Sequence, residues 1–213
     1  CIQALSESDV VVSIGHTDAV LADGLEAKKR GASLITHLYN AMRPFHHREP
    51  ALLGMLQYGT NDLQAGNNSD QIYYSIIADG LHANPVAVKM AYMLSKNVVV
   101  VTDAMGAMGL KNGRHKLGSM EVDVKDKKAT ISGTNTLAGS VASMDSCVQN
   151  FKKFTGCDYF EALAAATTNP AKILGIDDDK GVIRVGMDAD LVLLDEDLKV
   201  LRTIVSGYIV YSQ

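Results

Sequence analysis

Four short apolar runs, each delivering a polar residue at its exit, constrain this chain more than any other feature. Val10–Ile14 leads into Gly15-His16, Ser33–Leu38 carries His37, Tyr73–Ala78 leads into Asp79-Gly80-Leu81-His82, and Val98–Val101 leads into Thr102-Asp103. Continuous β-branched runs suit strands buried on both faces, as in a parallel sheet covered by helices. Chemistry gathered at the C-terminal ends of several parallel strands is the layout of a (β/α) barrel. The pattern predicts an α/β scaffold with an enzyme site and a metal ion at its strand exits.

Such a scaffold needs a core, and 47% hydrophobic residues in a chain of 213 supply one. The formal net charge is −4 with Lys and Arg scattered, which argues against a nucleic-acid surface or a polybasic membrane face and leaves small anionic ligands open. Cys1, Cys147 and Cys157 form no close metal-type pair, as expected of a reducing, cytoplasmic setting. No run approaches the roughly 18 apolar residues of a membrane span. Asn67-Asn68-Ser69 matches a glycosylation sequon, a pattern short enough to arise by chance. The chain opens at Cys1 without an initiator Met, in what reads as the end of a helix. A complete barrel takes roughly 250 residues and eight strands. The four strand-and-helix units here predict part of one, entered in the middle, with open edges that must be covered.

In chain order, Asp18 stands where the first helix should be N-capped, and Gly31 where it should stop. The long connection from Leu38 to Tyr73 holds Pro44, His46, His47, Arg48 and Pro50, then a short helix near Ala51–Tyr58. Asn84-Pro85 opens the next helix, running toward Lys96. After Asp103 the rhythm changes. Met120–Val124 and Ala129–Ile131 read as a β-hairpin inserted at about 115–135, and Gly133–Ser143 as a small, polar stretch. A helix follows over Met144–Phe154, and Asp158 with Glu161 forms a capping box for an Ala-rich helix to Thr168. From Gly181 the pattern is all strand, with Val182-Ile183, Asp190–Leu194 and Thr203–Tyr211 assigned to a small β domain. The division is therefore 1–175 for a partial barrel and 176–213 for the small domain.

His16 and His37 sit at strand exits, where neutral imidazoles can converge on one divalent ion. A catalytic zinc usually has a third protein ligand, which must come from elsewhere. Asp103 ends an apolar strand and suits a general acid/base beside such an ion. Each of the three, taken singly, equally suits a capping or turn role. His82 precedes a helix whose free N–H groups favour anions, and Arg48 offers a forked donor for phosphate or carboxylate, although an isolated Arg is more often a solvated charge. Asn40-Ala41 offers amide and backbone groups, or an ordinary turn. His46, His47 and His115 lie in polar loops and read as surface residues, and the scattered methionines, including Met105, Met108 and Met144, read as core filler. No P-loop and no Gly-x-Ser-x-Gly elbow is present, which disfavours nucleotide hydrolysis and serine-hydrolase chemistry.

Together the motifs resemble a family. Gly15-His16-Thr17, Thr36-His37-Leu38-Tyr39-Asn40-Ala41-Met42, His47-Arg48-Glu49-Pro50, Asp79-Gly80-Leu81-His82, Thr102-Asp103-Ala104 and Leu137-Ala138-Gly139-Ser140 occur in the order seen in the N-acetylglucosamine-6-phosphate deacetylases of the amidohydrolase superfamily. Gly186-Met187-Asp188-Ala189-Asp190-Leu191-Val192 is shared more widely in that superfamily. The resemblance implies the C-terminal half of a (β/α)8 TIM barrel plus strands of a small β-sandwich. It implies hydrolysis of the acetamide of N-acetylglucosamine 6-phosphate to glucosamine 6-phosphate and acetate, in amino-sugar catabolism. It places His16 and His37 as ligands of one divalent metal, zinc first, with iron, cobalt or manganese as alternatives. Asp103 becomes the catalytic acid/base, and Asn40, Ala41 and Leu137 become substrate contacts. Arg48 and His82 become a phosphate-binding pair reaching across a homodimer interface. The family's carboxylate metal ligand and a carbonyl-polarising His belong to earlier strands, so this chain alone is expected to be inactive. Two other readings stand beside it: another amidohydrolase chemistry, deamination or cyclic-amide hydrolysis, and a catalytically incomplete sugar-phosphate-binding fragment.

Overall fold

The computed structural model describes residues 1–57, 72–126, 128–134 and 136–213. The Asn67-Asn68-Ser69 sequon, Tyr58 and Lys127 lie outside them. The four exit-bearing runs form β1 (Val12–Ile14), β2 (Ala32–Ile35), β3 (Tyr73–Ile77) and β4 (Val98–Val101), one parallel sheet in the order β1-β2-β3-β4. β2 and β3 stop short of their apolar runs because the ladder ends before the exit residues turn away, β1 starts only at Val12, and β4 spans its whole run. Ile35, Tyr74, Ile76, Val98 and Val100 are buried, consistent with a sheet covered by helices.

The helices are α1 (Ile2–Ser6), α2 (Leu21–Lys29), α3 (Pro85–Leu94), α4 (Met144–Thr155), α5 (Tyr159–Ala164) and α6 (Thr168–Leu174), with a 3-10 helix at Ala51–Gln57. Asn84 caps α3 by accepting from the Val86 N–H at 2.9 Å, with Pro85 at the first helical position. Gly156 ends α4 with φ 76° in the left-handed region, where glycine carries no Cβ penalty. Val88 of α3 and Phe151 of α4 are fully buried against the sheet, and Phe151 meets the Tyr92 ring edge-on at 5.4 Å.

Two expectations about these helices need correction. Asp18 does not cap α2. The cap is Val20, whose N–H donates to Asp23 Oδ2 at 3.1 Å, while Asp18 pairs with Arg43 at 2.7 Å. The Glu49 carboxylate takes the role assigned to Asp18, Oε1 accepting from the Leu21 N–H at 2.8 Å and from the Ala51 N–H at 3.1 Å. The Ala-rich helix stops at Ala164 rather than Thr168, because its next carbonyl is engaged elsewhere: Ala165 O accepts from the Val100 N–H at 2.8 Å. Asn169 Nδ2, in the first turn of α6, donates to Val98 O at 2.7 Å, so the outer edge of β4 is covered by α6 and the segment leading into it.

The inserted element is larger than a hairpin. β5 (Gly113–Leu117), β6 (Met120–Lys125), β7 (Lys128–Ile131) and β8 (Leu137–Gly139) form a four-stranded antiparallel sheet in sequence order. The small residues of β8 conceal its strand character, since Gly139 pairs with Ala129 and Leu137 with Thr130. His115 therefore sits on β5, not in a loop. Met105 packs beside this sheet's core, whereas Met108 and Met144 are exposed rather than core filler.

The last sheet comprises β9 (Leu191–Leu194), β10 (Val200–Val205) and β11 (Tyr208–Ser212), ordered β11-β10-β9. Ser206 and Gly207, both at positive φ (49° and 82°), form the two-residue turn between β10 and β11. Val182-Ile183 forms no strand, and Ile183 is exposed. Lys180 instead reaches back to Asp188 at 2.6 Å and Asp190 at 2.5 Å, which gives the acidic Gly-Met-Asp-Ala-Asp stretch a structural task. No helix among the described residues is long and apolar enough to cross a membrane.

Candidate active site

The site begins where β1 and β2 end. A Cβ on Gly15 would lie 2.7 Å from Thr36 Cβ, so only glycine lets the two exits approach this closely. Thr36 is held by its N–H donating to Ile14 O at 2.8 Å. His16 and His37 then turn into positive φ, 44° and 26°. A left-handed conformation costs a non-glycine residue about 1–2 kcal/mol, and such strain gathers at functional sites. β3 supports the second of them. The His37 N–H donates to Ser75 Oγ at 2.7 Å, and the Leu38 N–H to Ser75 O at 2.8 Å. Ser75 did not stand out in the sequence analysis, although it is the one hydroxyl among the apolar residues Ile76-Ile77-Ala78 that follow it.

The two imidazoles meet, with His16 Nε2 3.0 Å from His37 Nε2 and the ring planes at 63°. Either the rings share one proton, or both nitrogens present lone pairs to a common cation. Two nitrogens bound tetrahedrally to zinc at about 2.0–2.1 Å lie about 3.3 Å apart, close to the separation observed. His37 is 6% exposed and its Nδ1 has no hydrogen-bond partner among the described residues, a cost of about 1–3 kcal/mol. This pair fits two positions of a divalent ion's donor set. No group of three or more His, Cys, Asp or Glu with metal-site geometry occurs among the described residues.

The residues after His37 build one wall. Asn40 Nδ2 donates to His37 O and Leu38 O at 3.3 and 3.2 Å, and its side-chain oxygen has no hydrogen bond among the described residues. Ala41, at φ 48°, accepts the Thr17 N–H at 3.0 Å and so joins the β1 and β2 exits. Tyr39 OH donates to Ala87 O at 2.9 Å, tying this turn to α3, and burial pushes its phenol up to about 12. His16, Thr17, Asp18, Ala41 and Met42 line an open depression of about 460 Å³.

The exits of β3 and β4 carry the charged groups. His82 Nδ1 lies 2.6 Å from Asp79 Oδ2, with both side chains largely buried, while Asp79 Oδ1 accepts the Leu81 and His82 N–H groups at 2.8 and 2.9 Å. Hydrogen bonding to Asp79 raises His82 above its ordinary value against the opposing effect of burial, and the Asp103 charge adds to the rise. Burial alone would raise Asp79, but its hydrogen bonds from His82 and Leu81 outweigh that and hold it below the usual carboxylate range. Asp103 is exposed, at φ 46°, with no hydrogen bond to its carboxylate among the described residues. Leu137, at the start of β8, is brought near that exit by the pairing of Ala104 with Ser140. Arg48 is exposed on a tight turn closed by two backbone bonds between His46 and Glu49, and its guanidinium has no ion-pair partner among the described residues.

The structure thus places His16 and Ala41 on one depression with His37 buried against His16, and sets Asp103 and His82 at the other two exits of the same sheet. Known proteins resemble this chain as a whole. Over its length the chain is 48% identical to an N-acetylglucosamine-6-phosphate deacetylase of Bos taurus, covering 99% of this chain and 51% of that protein. It is 40% identical to the Bacillus subtilis protein of the same name, covering 99% and 51%. The chain spans about half the length of the curated relatives it matches. Among solved structures, the N-acetylglucosamine-6-phosphate deacetylase of Thermotoga maritima superposes with a TM-score of 0.87 at 37% identity, covering 100% of this chain and 56% of that one. A Mycobacterium smegmatis deacetylase mutant in complex with N-acetyl-D-glucosamine-6-phosphate gives 0.85 at 32%, covering 99% and 54%. Residues 4–210 match the amidohydrolase family, and to that family the chain belongs.

Proposed function

We propose that this chain forms the C-terminal part of a metal-dependent deacetylase that hydrolyses the acetamide of N-acetylglucosamine 6-phosphate to glucosamine 6-phosphate and acetate. The observation that carries the reading is the convergence of His16 and His37 at adjacent strand exits, with Asp103 at an exit of the same sheet. The parallel sheet with its helices is taken as part of a barrel, and β9–β11 as strands of a small sandwich beginning near Ile176. Relatives named for this deacetylase support the choice of substrate.

His16 and His37 would hold one divalent cation, zinc first among the candidates, through Nε2. Such an ion supplies Lewis-acid chemistry, acidifying water and polarising the acetyl carbonyl. The chain's own residues do the rest. Asp103, whose carboxylate has no hydrogen bond among the described residues, accepts a proton from the attacking water and returns it to the departing sugar nitrogen. Asn40 presents its side-chain oxygen and Ala41 its turn to the sugar, while Leu137 borders the acetyl group. Arg48 and His82 bind the phosphate, as donors from two subunits of a homodimer in the cytoplasm.

The test is acetate release with elemental analysis on the protein that carries this chain. His16→Ala and His37→Ala are expected to lose metal and turnover together. Asp103→Asn is expected to keep the metal and lose turnover by about 100- to 10,000-fold. Near-normal turnover in Asp103→Asn would sink the assignment. The two-histidine donor set also suits an incomplete, sugar-phosphate-binding piece, and substrate binding that survives chelation without turnover would favour that alternative.

A further inference from the structure

The Asp79–His82 pair has a geometry that a simple phosphate contact does not require. Asp79 uses one oxygen to fix the backbone of the loop through the Leu81 and His82 N–H groups, and aims the other at His82 Nδ1. One carboxylate therefore sets both the position of the His82 main chain and the rotation of its ring. Facing a carboxylate at 2.6 Å, Nδ1 carries a proton. His82 Nε2 has no partner among the described residues, and to bind a phosphate oxygen it must donate as well. A ring that donates from both nitrogens is an imidazolium. We propose that Asp79 is a positioning residue that holds His82 as a doubly donating imidazolium, converting a neutral contact into a charge-assisted one for a phosphomonoester.

This rests on the reading of His82 as a phosphate ligand. The groups acting on the pair are consistent with it. Asp103, at the exit of β4, adds a second negative charge that favours the imidazolium. Cys147 of α4, beside Asp79, is pushed up to about 11 by burial and by the Asp79 charge, so it stays neutral and does not compete. The raised His82 and lowered Asp79 described above have the sign that this arrangement demands.

Asp79→Asn is the informative substitution, because its amide oxygen can still accept the two loop N–H groups while its amide nitrogen now faces Nδ1 as a donor. His82 is then driven to the neutral form with its proton on Nε2. Two readouts are taken on the protein that carries this chain: nitrogen NMR of the His82 ring across pH, and kinetics of the metal-loaded enzyme with N-acetylglucosamine 6-phosphate and with unphosphorylated N-acetylglucosamine.

The wild-type ring is expected to hold both protons at pH 7.5. Asp79→Asn is expected to show a neutral ring there, with KM for the phosphorylated substrate raised about tenfold, kcat within about twofold, and KM for the unphosphorylated sugar unchanged. His82→Gln separates the two levels of the argument. If it leaves KM for the phosphorylated substrate unchanged, His82 is not a phosphate ligand and the underlying reading fails. If it raises KM while Asp79→Asn alters neither KM nor the ring's titration, the role of Asp79 is overturned and the reading survives. Should Asp79→Asn not fold, a wild-type ring found neutral at pH 7.5 overturns the proposal by itself.

Discussion

Replacing Gly15 by Ala tests how the two histidines are brought together. The new Cβ would lie 2.7 Å from Thr36 Cβ and 2.9 Å from Thr36 Oγ1, so it needs about 0.7 Å of relief to reach the 3.4 Å of ordinary contact. Thr36 cannot readily yield, because its N–H is bonded to Ile14 O and its hydroxyl to the Ser13 hydroxyl. Forcing one extra carbon into such a contact costs about 1–3 kcal/mol. For a chain of this size each kcal/mol moves the melting temperature by about 2–4 °C, so a fall of about 2–12 °C is expected. Thermal unfolding of Gly15→Ala, Thr36→Gly and the double variant closes a cycle whose coupling should reach about 1 kcal/mol, with the crowding absent when Thr36 is trimmed. The same shift would widen the 3.0 Å Nε2 separation, so metal content should fall in Gly15→Ala and recover in the double variant. A Gly15→Ala protein within about 0.5 kcal/mol of wild type, with no coupling to position 36, would refute the argument.

Other outcomes follow from the same geometry. Arg48→Ala should raise KM for phosphorylated substrate only; equal losses with unphosphorylated N-acetylglucosamine would remove Arg48 from phosphate binding. The Asp79–His82 pair should stabilise the fold most between about pH 4 and 6.5, where both groups are charged in either state. Its contribution is lost as pH falls through the lowered value of Asp79, and lost again as pH rises through the raised value of His82. Urea titrations of wild type and His82→Gln should therefore diverge most in that window, and a pH-independent difference would contradict the pairing. Phe151→Ala, which deletes a fully buried ring stacked edge-on against Tyr92, should cost about 3–5 kcal/mol in unfolding free energy.

The parallel strands are legible in the sequence because burial on both faces leaves unbroken apolar runs, and the exits are legible because a His or Asp following such a run is conspicuous. Glycine stops and local caps such as Asn84 and Asp158 are readable for a similar reason, since their partners lie two or three residues away. What escapes is anything settled by a distant partner. Asp18 has the right residue type for a cap and loses the role to Glu49, 28 positions from the helix start that it serves. β8 is a strand because Ala129 and Thr130 offer it a ladder, not because of its own composition. At the site, the meeting of His16 with His37 is foreshadowed by their strand exits. The support given by Ser75, one strand further on, appears only once β3 lies beside β2.

Glu49 has a dynamic consequence as well. One oxygen of its carboxylate closes a ring between the first turn of α2 and the start of the 3-10 helix, and Arg48 is the adjoining residue. The amide protons of Leu21 and Ala51 therefore share a single acceptor, and an opening that frees one frees the other. Their hydrogen-exchange rates should rise together, on the same timescale, as a small cooperative unit. Arg48 then moves with that unit rather than as an independent loop tip, so its reach toward a ligand is governed by how often this one carboxylate lets go.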